Sequence, residues 1–293
     1  MQIQKRIRAV IAVVSAAVLA STPLLVSPTV AIASPVGVAT SKAATPHITA
    51  RVTKKAITLT GVASLRPGRV RLSVEGAGGV EFAMFARGYD AADFTADMNK
   101  FGAKNDIKAL KRALANTQIL GGFEAGGSGT IVLPRAGSYT PFSVSERGFL
   151  VGKSITLRGS VRTSSVPRTD GSIIAKSGLS WGGASHLPMK GRFLFKNKSN
   201  TGVPHFVVLQ QVAEGTTTDE VLEYFQTSDE TTPPPAWALQ AGLETASLSP
   251  GRSMTVNYDL PAGQYVVMCF FPDPNMGGMP HAFMGMLEMI HLM

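Results

Sequence analysis

Short runs of alternating apolar and polar residues dominate the chain from about Ile48 onward. In the first half these runs are ITARV, AITLTGVA, RVRLSVEG and VEFAMFAR, and they are separated by turn residues such as Pro67-Gly68. Alternation with a period of two, interrupted by frequent turns, is typical of short strands that are buried on one face. The pattern therefore predicts a mainly β protein.

A helical spacing interrupts the strand pattern in each half. Apolar residues recur at intervals of three and four in AADFTADMNKF and DIKALKRALA, and TTDEVLEYFQ has Thr217 and Glu220 placed as a capping box. The order of the runs also repeats. GGVEFAMFARGYDAADF aligns with GVPHFVVLQQVAEGTTTDEVLEYF, and GSGTIVLPRAGSYTPFSV aligns with GRSMTVNYDLPAGQYVVMCFF. We interpret this as a tandem duplication of a β-sandwich with a helical insertion.

The domain boundaries follow from changes in composition. Residues 34–47 are rich in Ala, Ser, Thr and Pro, which predicts a flexible linker. Polar and turn-forming residues at 162–171 mark a second break, so 162–180 is predicted to be a linker. The two domains are expected at 48–161 and 181–293.

The N-terminus has the composition of a secretory signal peptide. Lys5, Arg6 and Arg8 precede an apolar run, and small residues follow near Ala33. This order predicts a signal peptide over residues 1–33, cleaved after Ala33, and a secreted or cell-envelope protein. The alternative is an uncleaved membrane anchor, since the apolar character continues weakly beyond the run.

The net charge of +9 is divided unequally between the halves. Residues 34–180 carry 20 Lys and Arg against 9 Asp and Glu, whereas residues 181–293 carry 5 against 10. A basic first domain indicates contact with an anionic cell surface, or docking of the two halves on each other. Basic residues without interleaved aromatic residues argue against nucleic-acid binding.

The chain has one cysteine, Cys269, so an exported form has no internal disulfide. An unpaired thiol outside the cell is protected when it is buried in a core or bound to a metal. With His205, His281 and Met286 it makes up a thiol, two imidazoles and a thioether, the ligand set of a mononuclear blue-copper centre. Taken singly, each residue is also compatible with a purely structural place in the core.

Three segments of the second half resemble plastocyanin-type cupredoxins. FKNKSNTGVPHFVV is similar to the strand region that carries the first copper histidine, and GQYVVMC is similar to the strand that delivers the cysteine. HAFMGM resembles the ending in which a second histidine precedes a Gly-Met axial ligand. The resemblance implies two tandem cupredoxin-like Greek-key β-sandwiches and one copper ion on His205, Cys269, His281 and Met286.

The chain departs from the cupredoxin pattern in two places. Eleven residues separate Cys269 from His281, where the family has two to four, so this loop is expected to hold the site less tightly. Phe206 stands where the family often has an Asn that ties the ligand loops together. In the first half, the alignment places Ser143 opposite Cys269 and Glu81 opposite His205, which predicts a degenerate first domain without metal ligands.

These observations favour an exported copper-binding protein that works in electron transfer or copper handling. Its expected partner is a redox or copper-donor protein, and the methionines around His281 suggest Cu(I) storage or transfer as one form of that handling. The alternative is a metal-free structural or adhesive module at the cell envelope. No enzyme motif is present, and the chain has too few histidines for the trinuclear site of a multicopper oxidase.

Overall fold

A computed structural model describes residues 44–145, 148–183, 185–229 and 231–293 of the chain. The predicted signal peptide, and the predicted linker as far as residue 43, lie outside these residues. Strands make up most of the regular structure, which confirms the prediction of a mainly β protein. Within the described ranges, no helix has the length and apolar character needed to cross a membrane.

Over its described residues, the first half contains nine strands and two helices. The helices α1 (Ala91–Lys104) and α2 (Ile107–Asn116) form the predicted insertion between the fourth and fifth strands. The strands are β1 (His47–Val52), β2 (Ile57–Thr60), β3 (Gly68–Gly76), β4 (Val80–Phe85), β5 (Thr117–Phe123), β6 (Ser128–Leu133), β7 (Gly137–Ser145), β8 (Gly148–Val151) and β9 (Ile155–Leu157).

The described part of the second half contains eleven strands, the helix α3 (Thr218–Thr227) and a short 3-10 helix at His281–Met284. The strands are β10 (Gly171–Lys176), β11 (Ser180–Gly183), β12 (His186–Leu187), β13 (Lys190–Asn197), β14 (Val208–Val212), β15 (Ala238–Glu244), β16 (Ser253–Asp259), β17 (Gly263–Met268), β18 (Pro272–Asp273), β19 (Met279–Pro280) and β20 (Leu287–Leu292). The predicted capping box of α3 is present, with Thr217 and Glu220 each accepting a backbone N–H of the other.

Strand pairing is duplicated between the halves. In one sheet of the first half, β1 pairs in parallel with β3, and β3 pairs antiparallel with β6. In the second half, β10 pairs in parallel with β13, and β13 pairs antiparallel with β16. The other sheet has the order β5-β4-β7-β8 in the first half and β15-β14-β17-β20 in the second. This agreement supports two similar β-sandwiches, each with a helical insertion.

The two sandwiches share a sheet. Strand β16 pairs antiparallel with β6, which joins the two first sheets into one of eight strands in the order β11-β10-β13-β16-β6-β3-β1-β2. Thr130 lies opposite Thr255, their hydroxyl oxygens are 2.9 Å apart, and both side chains are buried. Because these threonines hold the same place in equivalent strands, the pairing relates the halves by an approximate two-fold rotation.

The structure differs from the predicted linkers at two points. The stretch 162–180 contains β10, because its apolar residues Ile173 and Ala175 are buried in register with β13. The linker 34–47 ends one residue into β1, where His47 Nε2 lies 3.0 Å from Ser73 Oγ. Residues 158–170 join the two halves without a strand of their own, and Arg162 makes one isolated bridge with Gly68.

Candidate metal centre

Cys269, His205 and His281 converge at one end of the second sandwich. Cys269 directly follows β17, and its Sγ lies 3.5 Å from His205 Nδ1 and 3.6 Å from His281 Nδ1. The two imidazole rings are 4.5 Å apart between centroids, and all three side chains are completely buried. In the part of the chain that the structure describes, this is the only trio of His, Cys, Asp or Glu whose donor atoms cluster within 4.8 Å.

The spacing of the donor atoms fits one first-row metal ion. With metal–nitrogen bonds of about 2.0 Å and metal–sulfur bonds of about 2.3 Å, angles between tetrahedral and trigonal give S···N distances of about 3.5–3.8 Å. The observed sulfur–nitrogen distances of 3.5 and 3.6 Å match this range. One thiolate and two imidazoles suit copper and zinc, and a weak thioether as a fourth donor is characteristic of copper.

Burial keeps the three donors neutral without a metal. It lowers the pKa of His205 to about 3, an effect that the charge of His281 increases, and it lowers the pKa of His281 to about 4. It raises the pKa of the Cys269 thiol to about 12. The imidazoles are therefore ready to bind a metal near neutral pH, whereas the thiol must release its proton as it binds.

His205 is held by a main-chain bridge and by a buried amide. Its N–H donates to the Leu248 carbonyl over 3.0 Å, and Leu248 N–H donates back to the His205 carbonyl over 2.7 Å. Asn197, which is completely buried at the end of β13, donates from Nδ2 to the carbonyls of Leu248 and Val203 and accepts Ser199 N–H at Oδ1. Asn197 thus ties the segment before His205 to the segment paired with it.

The sulfur of Cys269 accepts two backbone hydrogen bonds. The N–H groups of Phe206 and Phe271 donate to it, which opposes the effect of burial by lowering the pKa of the thiol. Phe206, at the position where the family often has an Asn, therefore contacts the sulfur through its main chain. The Phe206 side chain offers no hydrogen bond, but its main chain holds the sulfur and Asn197 ties the loops together.

The eleven residues between Cys269 and His281 fold into a hairpin. Strands β18 and β19 pair, and the hairpin returns so that His281 N–H donates to the Phe271 carbonyl over 3.1 Å. Asp273 organises the turn: its carbonyl accepts the N–H groups of Met276 and Gly278, and its Oδ1 accepts Asn275 N–H over 2.7 Å. These contacts replace the loose loop that the sequence length suggested.

Asp273 is also the charged group beside His281. Its Oδ2 lies 3.7 Å from His281 Nε2, too far for a direct hydrogen bond but close enough for its negative charge to favour imidazolium. This attraction raises the pKa of His281 and partly offsets the larger, opposite effect of burial. Among the described residues, the Nε2 atoms of His281 and His205 have no hydrogen-bond partner, so both rings present Nδ1 to the sulfur.

Met286 follows the 3-10 helix and directly precedes β20. Gly285, with a φ of 91°, ends the helix in the left-handed conformation, and Met286 N–H then donates to the His281 carbonyl over 3.0 Å. The Met286 carbonyl accepts Trp181 Nε1–H over 3.2 Å, and the side chain is completely buried. The main chain of Met286 is thus fixed beside His281, and its role as a fourth ligand stays a prediction.

The first half packs against the hairpin that carries His281. Asn105 connects α1 and α2 in the left-handed conformation, and its Nδ2 donates to the Gly277 carbonyl over 3.3 Å. A Cβ atom at Gly278 would lie 3.0 Å from both Asn105 Oδ1 and Phe101 Cε2. The turn of the hairpin therefore fits closely against the helical insertion of the other half.

The strand register of the first half gives a different counterpart of His205 from the predicted Glu81. Glu81 pairs with Phe142 in the first half, and Val208 pairs with Met268 in the second. If Ser143 corresponds to Cys269, this register makes Glu81 the counterpart of Val208, and the counterpart of His205 is then Gly78. A Cβ atom at Gly78 would lie 3.2 Å from Ser143 Oγ, which reproduces the closeness of His205 to Cys269.

Sequence reasoning missed Asn197 and Asp273. Asn197 lies in the F-K-N opening on which the family resemblance rests, so its position was visible although its role was not. Asp273 begins the turn-forming run DPN, a composition that predicts a tight turn. The closeness of Asp273 to His281 depends on how the hairpin folds back, and the sequence does not contain that distance.

Family models give no match to this chain, and neither do curated protein sequences. Solved structures with some likeness include reduced auracyanin from Roseiflexus castenholzii, at 21% identity over 42% of this chain and 94% of the other, with a TM-score of 0.25. Auracyanin A from Chloroflexus aurantiacus, described as a blue copper protein, has 18% identity over 35% and 87%, with a TM-score of 0.23. A multicopper oxidase has 11% identity over 84% and 88%, with a TM-score of 0.24.

All three of these structures are less than 25% identical to this chain. Their TM-scores are too low to support an argument about this chain. Support for the resemblance therefore comes from the duplicated β-sandwich and the His–Cys–His cluster themselves.

Proposed function

We propose that this chain is an exported copper protein in which His205, Cys269 and His281 hold one copper ion and Met286 is the weak fourth ligand. The observation that carries the proposal is the buried Cys269 Sγ, at 3.5 and 3.6 Å from two Nδ1 atoms. Bound copper supplies one-electron chemistry, and thiolate with thioether suits its reduced form. Single-electron transfer or transfer of the ion itself is the resulting function.

The protein part of this function is a rigid site that excludes water. Cys269, His205 and His281 have no exposed surface, and the hydrogen bonds of Asn197 and Asp273 fix the segments that carry the histidines. Phe270, next to Cys269, packs edge-on against Phe225 of α3 with centroids 5.2 Å apart, in the apolar cluster against that helix. A site held in this way changes little between two oxidation states.

Export and partners belong to the same proposal. The signal-like N-terminus supports a place outside the cytoplasm, and a redox or copper-donor protein is the partner that such a site needs. The excess of Lys and Arg over residues 34–180 supports contact of the first half with an anionic surface. That the chain is not an enzyme stays a prediction.

Copper titration of the mature chain tests the proposal. We expect one equivalent of Cu(II) to produce an intense visible absorption from a copper–thiolate bond, and Cys269→Ser to abolish it. His205→Ala is expected to weaken binding and change the spectrum, whereas His47→Ala, which alters a histidine at the start of β1, is the matched control. No intense visible absorption in the unchanged chain, or an absorption of the same intensity in a Cys269→Ser, His205→Ala double variant, would rule out this site.

The metal-free alternative makes the opposite prediction. A structural or adhesive module is favoured by the first half, which keeps the same strand order with Ser143 and Gly78 in place of ligands. Binding to cell-wall or membrane preparations that is unchanged after copper chelation, together with no absorption on copper addition, would support this alternative over the copper protein.

A further inference from the structure

Two partly exposed histidines lie side by side on the second sheet of the second half, away from Cys269. Strand β12 pairs in parallel with β20, and the register places His186 opposite His291. Residues opposite each other in parallel strands project from the same face of a sheet. The two imidazole rings are accordingly stacked, with centroids 5.8 Å apart and an angle of 21° between their planes.

A carboxylate completes this group. Glu214 Oε1 lies 3.3 Å from His291 Nε2, and both side chains are open to solvent. The position of Glu214 is fixed by Gln264, which is opposite His291 on β17. Gln264 is buried, accepts Gly215 N–H at Oε1 over 2.8 Å and donates from Nε2 to the Thr216 carbonyl over 2.6 Å. The turn that carries Glu214 is therefore anchored to the strand beside His291.

His186 is oriented by a hydrogen bond of its own. Its Nδ1 lies 2.9 Å from Ser185 Oγ, which leaves Nε2 as the free donor atom of the ring. Metal-binding histidines are commonly fixed in this way through the nitrogen that does not bind the metal. The backbone supports the arrangement, since His291 N–H donates to the Ser185 carbonyl over 2.9 Å.

We propose that His186, His291 and Glu214 form a second metal site, for a divalent first-row ion such as Zn²⁺ or Cu²⁺. Two imidazoles and one carboxylate are typical ligands of these ions. The ligand atoms of this trio are further apart than those around Cys269, so binding requires rotation of exposed side chains. Such rotation is fast and costs little at a surface.

The second site is separate from the thiolate site and does not depend on it. His291 is five residues beyond Met286 along β20, a distance of about 16 Å along a strand. A metal ion there would link the two-residue strand β12 to the last strand of the chain. Because an ion that binds only the folded form stabilises it, the site would also raise the melting temperature.

The test uses the mature chain with the Cys269→Ser, His205→Ala substitutions, so that the thiolate site is removed. We expect one equivalent of Cu²⁺ to give an electron paramagnetic resonance signal with nitrogen hyperfine structure and no intense visible band. Further substitution of His186→Asn and His291→Asn should abolish this signal, and Glu214→Gln should weaken binding. His47→Asn, on another surface of the protein, is the matched control and should change nothing.

A second measurement keeps the test independent of that background. In the otherwise unchanged chain, Zn²⁺ should raise the melting temperature, and the increase should be smaller in the His186→Asn, His291→Asn variant. A nitrogen-ligated copper signal that persists without both histidines, or no signal in the Cys269→Ser, His205→Ala chain, would overturn the second site. Neither outcome bears on copper binding at Cys269.

Discussion

Asn197 shows how one buried side chain outside the donor set can determine the geometry of a metal site. Its amide joins the loop that leads to His205, through Ser199 and Val203, to Leu248, the residue that pairs with His205. A buried amide with its donors and acceptor satisfied holds these segments in one arrangement. The position of the His205 ring therefore depends on a residue outside the candidate donor set.

Substitution of Asn197 is predicted to damage stability and metal affinity together. Asn197→Ala leaves buried carbonyls without donors, which should lower the free energy of unfolding by about 2–3 kcal/mol. Asn197→Asp places a carboxylate against two carbonyl oxygens and should cost at least as much. Urea unfolding and copper titration measure both effects, with a loss of affinity of about 10–100-fold expected. The exposed neighbour substitution Asn200→Ala should be neutral, and an equal effect at both positions would contradict this role.

At the scale of elements, the hairpin β18–β19 changes the meaning of the long gap between Cys269 and His281. The hairpin has its own strand pairs, a turn organised by Asp273, and a neighbour in the α1–α2 corner of the other half. A long loop positions the residue at its end as well as a short one does when the loop is ordered by its own contacts. The conformational freedom of this loop is removed by its strand pairs and its packing, so its length matters little.

Substitutions at two neighbouring glycines of the hairpin turn distinguish the effect of backbone strain from the effect of packing against the helices. Gly277 and Gly278 both have positive φ, at 66° and 82°, but only at Gly278 would an added Cβ atom crowd Asn105 and Phe101, at 3.0 Å from each. Gly277→Ala should cost about 1 kcal/mol for backbone strain alone. Gly278→Ala should cost about 1–3 kcal/mol more because it also pushes the hairpin away from the helices.

The measurements for these glycine variants are urea unfolding and the position of the copper–thiolate band. We expect the band to shift in Gly278→Ala and to stay in place in Gly277→Ala. Equal stability and an unchanged band in both variants would show that the first half does not influence the site.

At the scale of the molecule, the two halves form one structure through a shared sheet and a second seam. Leu248, which pairs with His205, also pairs with Leu120 of the first half, and Ser249 N–H donates to the Ile119 carbonyl over 2.9 Å. Glu81 reaches across the same seam, where its Oε1 accepts Ser247 N–H over 3.2 Å. The first half is thus hydrogen-bonded to the support of a site to which it contributes no ligand.

Glutamates at this seam make stability depend on pH. Burial raises the pKa of Glu81 to about 8, with a smaller contribution from Glu124, and it raises the pKa of Glu244 to about 8, with contributions from Glu124 and Glu81. A carboxyl with a raised pKa in the folded state contributes stability below the unfolded pKa of about 4.5, and that stability is lost as pH rises through about 8.

The double variant Glu81→Gln, Glu244→Gln is predicted to remove this loss. Its free energy of unfolding should exceed that of the unchanged chain by about 2 kcal/mol at pH 9 and should be similar to it at pH 4. The expected difference at pH 9 is small for two such pKa shifts because both glutamate side chains keep some contact with solvent. Urea unfolding at the two pH values measures the difference. Glu75→Gln, at an exposed position of β3, is the control, and a gain at pH 4 equal to that at pH 9 would contradict the explanation.

The sequence by itself determined the β character, the helical insertions and the donor residues of the candidate site. These features are local and can be recognised in the sequence directly: alternating polarity, apolar residues spaced by three and four, and a lone thiol accompanied by imidazoles and thioethers. Asn197 lies in the run that resembles the cupredoxin strand, and Asp273 lies in a turn-forming run, although their roles did not follow from composition.

Only the tertiary structure decided how those residues meet. The shared eight-stranded sheet, the counterpart of His205 at Gly78 and the packing of Asn105 on the Cys269–His281 hairpin all depend on pairings between residues far apart in the chain. Such pairings are set by strand register and by the close packing of whole elements, to which many weak contacts contribute at once. For that reason the donor residues could be read from the sequence, whereas the distances of 3.5 and 3.6 Å between their atoms required the fold.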